Sequence, residues 1–187
     1  MPDLKALKTM YDSIGTIGES RHIISRSVIS QCADSSNPLD ILATAIAYSR
    51  EGANFRKQAI IYYEKFLRLS NNTPNTENRN INVPLFGRWS IYSDLGKLYE
   101  REYEFQKAIE CYKKLIIESK GTNPADYTRI GDVYAKIDIS MCIEYYRKLQ
   151  SQESYLLHKH AFDMKLSEAL ERQRMGYVYR PRKRKDK

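Results

Sequence analysis

Little in this chain points to chemistry. Histidine occurs only three times in 187 residues and tryptophan once. No Gly-rich phosphate loop, H-E-x-x-H or G-x-S-x-G run is present, so the common local arrangements for a nucleotide, a hydrolytic metal or a serine nucleophile are missing. Cysteine is scarce too: Cys32, Cys111 and Cys142 are odd in number, far apart and without C-x-x-C spacing. That argues against a disulfide framework and for reduced thiols in a cytoplasmic compartment. No apolar run approaches the ~20 residues that a membrane-crossing helix needs. The first residues, "MPDLKALKTMYDSIG", mix acids with bases and do not resemble a secretory leader. These absences lead to an expectation of a soluble cytoplasmic protein that is not an enzyme, binds no cofactor or metal, and has no membrane partner.

Charge is the first feature present in excess. The formal net charge is +8, yet residues 1–150 hold 21 basic against 18 acidic side chains, while the last 37 residues hold 10 against 5. Six of those ten bases lie in "RPRKRKDK" at the C-terminus. The body is therefore close to neutral, and the excess belongs to a tail.

The second feature is repetition. "KAIECYKKL" at 107–115 is echoed by "MCIEYYRKL" at 141–149 and by "QAIIYYEKF" at 58–66. Ahead of two of these runs stand "YSDLGKLY" at 92–99 and "YTRIGDVY" at 127–134, which place Gly96 and Gly131 35 residues apart. Ala108 and Cys142 are 34 apart. The arrangement resembles the tetratricopeptide repeat, a helix-turn-helix unit of about 34 residues with the pattern W-x₂-L-G-x₂-Y, then A-x₃-F. One copy matches through Tyr92, Leu95, Gly96, Tyr99, Ala108 and Tyr112; the next through Tyr127, Ile130, Gly131, Tyr134, Cys142 and Tyr146. A weaker copy uses Ile41, Ala45, Tyr48, Ala59 and Tyr63, with Thr44 where leucine is usual. The proline that usually follows the second helix is missing at its expected spacing.

The resemblance implies an all-α fold: a short α-solenoid of antiparallel helix pairs closed by N- and C-terminal capping helices. Residues 1–36 are expected to form the N-terminal caps, through Leu4, Leu7, Tyr11 and Ile14, then Ile23, Ile24, Val28 and Ile29. Residues 38–70 form the degenerate first pair, 71–84 an Asn-rich loop, and 85–150 two further pairs. Residues 153–176 form a capping helix with its apolar stripe through Leu157, Phe162, Leu166 and Leu170, and 177–187 a flexible basic tail. Asn37-Pro38 and Asn123-Pro124 each supply a cap followed by proline at the first helical position. Phe86 and Trp89 are expected in the core, one or two helical turns before Tyr92. His158 and His160, two apart, cannot share a metal from one helix face and are expected on a solvated surface.

In this family the first helix of each unit lines a concave surface on which extended peptides or partner helices lie. The resemblance therefore directs attention to the stripe beside the packing face: Ser93, Lys97 and Arg101 in one unit, Thr128, Asp132 and Lys136 in the next. Leu42 and Ile46 occupy the matching stripe of the early copy, and must either be covered or form an apolar pocket. The reading is a non-catalytic scaffold or adaptor for a protein or peptide partner. The alternative is a nucleic-acid-associated factor whose tail, through Arg180, Arg182, Lys183, Arg184 and Lys185, binds phosphates without regard to sequence.

Overall fold

The computed structural model describes residues 6, 9, 19–72 and 88–180. They are helical throughout apart from short connections, and fall into two compact units, residues 1–85 and 86–187. Leu4, Leu7, Tyr11 and Ile14, the 73–84 stretch with Phe86, and the tail from Arg182 to Lys185 lie outside the described residues.

In the first unit, α1 (Glu19–Cys32), α2 (Pro38–Arg50) and α3 (Arg56–Asn72) pack in sequence, with a 3₁₀ turn, Ala53–Phe55, leading into α3. Asn37 caps α2 by accepting the Leu39 N–H at 3.0 Å, and Pro38 begins the helix where no intrahelical donor is needed. Helix α2 is buried nearly all round, from Leu39 through Ala47, as expected of a helix flanked on two sides. Leu42 and Ile46 are thus covered and form no open pocket. Thr44, also fully buried, turns its hydroxyl back onto the Asp40 carbonyl at 2.8 Å, so no polar group is stranded there. Helix α1 contributes Val28 and Cys32 to the core, whereas Ile23, expected in the same stripe, is 63% exposed. Its charged side is fixed on Glu51, whose carboxylate pairs with His22 at 3.1 Å and Arg26 at 3.3 Å.

The second unit holds α4 (Arg88–Arg101), α5 (Phe105–Glu118), α6 (Pro124–Ile137), α7 (Ile139–Leu149) and α8 (Glu153–Arg174). From α5 onward each packs on the one before it, and α8 also reaches back to α6. The turns explain the short connections. Helix α4 ends with Tyr103 at φ 63°, its N–H bonded to Glu100 O, and the Glu104 N–H bonded to Tyr99 O. Helix α5 ends the same way around Lys120 and Gly121, and α8 around Gly176 and Tyr177. All three are Schellman motifs, which satisfy the last carbonyls and reverse the chain. Asn123 and Asp138 cap α6 and α7 by accepting the Ala125 and Ser140 N–H groups.

Pairing within this unit depends on two glycines. A β-carbon on Gly96 would stand 2.5 Å from the Tyr112 ring, and one on Gly131 would stand 2.3 Å from the Tyr146 hydroxyl. Each tyrosine is fully buried in the space its glycine leaves open. These are the matched positions of the two repeats, so α4–α5 and α6–α7 are tetratricopeptide-like helix pairs.

Helix α8 departs from the expected stripe. Its buried residues are His158, Phe162 and Ala169, whereas Leu157 is 69% and Leu170 39% exposed. His158 is not solvated: its Nε2 donates to the Gly121 carbonyl at 2.8 Å, and its ring packs against Tyr127 and Phe162. The backbone leaves helical geometry at this residue (φ −124°, ψ 19°), and the resulting kink rotates the face that meets α6 and α7. Trp89 also overturns its expectation, standing 49% exposed at the start of α4.

Candidate partner groove

The stripe residues meet in a groove of the second unit. Lys97 and Arg101 come from α4, Asp132 and Lys136 from α6, and all four line one concavity. The spacing explains it: 97 and 101 are one helical turn apart, and 132 and 136 are their counterparts 35 residues on. Ser93 is buried in α4 and Thr128 donates to the Ala125 carbonyl on the half-buried first turns of α6; neither lines the groove.

The remaining wall is made by residues outside the expected stripe. Glu100 is central among them. One carboxylate oxygen accepts the Tyr112 hydroxyl at 3.1 Å, and the other holds the Lys136 ammonium. A bond between α4 and α5 is thereby joined to one between α4 and α6. Burial first, and then the Glu100 charge, push the Tyr112 phenol far above its ordinary range, so it stays a neutral donor. The Arg129 guanidinium lies over the Tyr112 ring, 5.8 Å from its centroid, and its Nε finds no hydrogen-bond acceptor among the described residues. Arg172 of α8 completes this side while pairing with Glu168.

Five cations (Lys97, Arg101, Arg129, Lys136, Arg172) therefore face two carboxylates, Glu100 and Asp132, giving an excess of positive charge. The cations are not equally engaged. Lys97 pairs with Asp94 at 3.0 Å on its own helix, while Arg101 is exposed and has no partner among the described residues. Asp132 stands at the open side of the groove, its side chain 56% exposed but partly desolvated by the protein around it. This partial desolvation raises its carboxyl above the ordinary value, against the lowering pull of Lys165 and Lys136.

Tyr177 and Tyr179, expected in a flexible tail, also line the groove. Tyr179 meets the Phe105 ring edge-on with centroids 6.4 Å apart, and the Lys136 ammonium lies 6.0 Å from its centroid. Tyr177 carries the Arg172 guanidinium 5.5 Å from its centroid. Arg180 is exposed. Two signals for this return of the chain stand in the sequence: Gly176 at the end of α8, and the tyrosine alternation around Val178.

The cysteines are buried thiols. Cys142 sits at the small-residue position of its repeat, and burial above all pushes its thiol up to about 11. Among the described residues, no set of three or more histidine, cysteine or acidic side chains converges as metal ligands would. No helix among them is long and apolar enough to cross a membrane.

Compared with known proteins, the chain matches no protein-family model and no curated protein. Among solved structures, a crystal structure of MamA aligns with it at 20% identity over 83% of this chain and 88% of that one, with a TM-score of 0.47. Likeness at that level leaves the helix-pair assignment resting on the chain's own packing: Gly96 against Tyr112 and Gly131 against Tyr146.

Proposed function

We propose that the chain is a non-catalytic adaptor that binds a protein or peptide partner in the groove of its second unit, and that the partner presents carboxylates there. The observation that carries this reading is the convergence of Lys97, Arg101 and Lys136 on one concave surface, with the Arg101 guanidinium open and unpaired among the described residues. A cation left without a protein acceptor on a concave wall, as Arg101 is among the described residues, is available to a ligand, and arginine suits carboxylates because its planar fork binds them bidentately. Titratable side chains in the groove are engaged with one another through Glu100 in a manner that holds helices together, which suits a binding surface better than a reacting centre.

A displayed-peptide selection on the full chain tests this directly. Selected sequences should be enriched in aspartate and glutamate. Replacing both cations of the α4 edge, Lys97→Glu with Arg101→Glu, should weaken the selected peptides at least about tenfold, roughly 1.4 kcal/mol, while the helical circular-dichroism signal is retained. Selection without acidic enrichment, or affinities indifferent to the double charge reversal, would remove the groove from the proposed role.

A further inference from the structure

The groove is not empty of chain. After α8 the Schellman motif at Gly176 turns the backbone sharply: Gly176 N–H bonds to Gln173 O at 3.0 Å and Tyr177 N–H to Arg172 O at 2.9 Å. Residues 177–180 leave the helix, and their side chains alternate. Tyr179 is half-buried against the groove and Tyr177 lies along its open edge, 38% exposed, while Val178 between them is 72% exposed. A period of two, with aromatic rings inward and an aliphatic outward, is how an extended peptide lies on a helical surface. The reversal at α8 is built by two backbone bonds and a glycine at φ 68°, so the segment is directed to this wall and has not merely frayed across it.

We propose that Tyr177–Arg180 is an internal ligand of the groove, and that the groove accepts in its place an extended partner segment with two aromatic side chains spaced i, i+2 and flanked by acidic residues. Two features define the aromatic subsites. Phe105 at the start of α5 and Lys136 at the end of α6 hold Tyr179 by an edge-to-face contact and an ammonium over its ring. The Arg172 guanidinium over Tyr177 makes the second. Charge explains why the internal segment is the displaceable one. Its rings suit the subsites, but Arg180, the last of its residues, carries the same sign as the groove's excess. A partner with the same rings and carboxylates beside them keeps the aromatic contacts and replaces repulsion by attraction. Because the internal segment is tethered, it competes at a high effective concentration, and an incoming peptide binds more weakly than the bare subsites would allow.

The inference rests on the groove being the binding surface, and the test separates the two. Two synthetic peptides, DEYVYDE and its serine control DESVSDE, are titrated into the full chain and into a full-length Tyr177→Ser/Tyr179→Ser variant. The aromatic peptide should bind the wild type at least about tenfold more tightly than the control, and should bind the variant at least about threefold more tightly than the wild type. Circular dichroism and the melting curve establish that the variant is folded. If both peptides bind alike through Lys97 and Arg101, and the tyrosine substitutions change nothing, the aromatic inference is overturned while the carboxylate groove stands. Weaker binding of the aromatic peptide to the variant would overturn it differently, by making the segment a wall of the site and not its occupant. Binding of neither peptide to either protein at millimolar concentration would sink both readings.

Discussion

The helix pairs α4–α5 and α6–α7 bury the same residue types in the same place, yet their tyrosines meet different fates. In both pairs a glycine on the first helix admits a tyrosine from the second. The Tyr112 hydroxyl then donates to Glu100, whereas the Tyr146 hydroxyl, equally buried, has no partner among the described residues. The cause is one position. Glu100 lies four residues after Gly96; the residue four after Gly131 is Ala135. The repeat thus specifies packing in both copies, and the departure from it, a carboxylate in one and a methyl in the other, decides which copy organises the groove. Glu100 links Tyr112 below to Lys136 beside it; the second pair has no counterpart to that link among the described residues.

The largest effects should come from what the pairs share. Gly131→Leu forces a side chain into the fully buried Tyr146 ring and should cost about 1–3 kcal/mol. Gly96→Leu should cost a similar amount against Tyr112. Urea denaturation of the two variants checks the equivalence. If one substitution is costly and the other harmless, the two pairs do not share a packing mode.

An intermediate effect should come from what the pairs do not share. Tyr112→Phe removes the donor to Glu100 and should cost about 1.5 kcal/mol, the low end for a bond to a charged acceptor because Lys136 shares the carboxylate. Tyr146→Phe removes a buried hydroxyl that satisfies nothing, so it should be neutral or stabilising by up to about 1 kcal/mol, because an unpaired buried polar group carries a desolvation cost. The opposite signs are the test. Two equal losses would mean that the Tyr146 hydroxyl has found an acceptor, and the contrast drawn from Ala135 would collapse.

The repeat phrases made the helix pairs legible because close packing leaves its mark as residue size at fixed spacing: Gly96 with Tyr112, Gly131 with Tyr146. Part of the groove was legible as well: helical spacing and the 35-residue offset put Lys97, Arg101, Asp132 and Lys136 on one stripe, and the family resemblance implied that the stripe faces a partner. Glu100 and Arg129 were not, because their roles depend on partners from another helix. His158 escaped for the same reason. Its spacing to Phe162 places both on one face, but what retains a histidine there is the Gly121 carbonyl, 37 residues earlier. The spacing of Leu157 and Leu170 describes one stripe only on an uninterrupted helix, and the kink at His158 alters which residues face inward. Tyr177 and Tyr179 were hidden by their neighbours: a strongly basic run draws attention to solvent, and the glycine that reverses the chain before it does not reveal where the chain then goes.

The smallest expected effect concerns the groove position at which the two pairs differ in sign, Lys97 in one and Asp132 in the other. Desolvation raises the Asp132 carboxyl above its ordinary 3.8, and Lys165 and Lys136 only partly offset this. A folded state that holds this proton more tightly than the unfolded chain is favoured at low pH. Its contribution therefore falls as the pH rises from about 3.8 through the raised folded value, and above that value the ionised carboxylate weighs slightly against folding. Asp132→Asn removes the titration while keeping the shape, so stability measured between about pH 3.5 and pH 7 should decline less, or rise more, in the variant than in the wild type. Because the side chain is more than half exposed, water screens much of the effect, and the two curves should separate by only a small margin at neutral pH, with the variant on the more stable side. A variant that is less stable at neutral pH would show that the ion pair with Lys165, 4.0 Å away, outweighs desolvation at this site. Asp132 would then belong with Glu100 among the carboxylates that hold the groove together, and the contrast with Lys97 would be one of structure as well as charge.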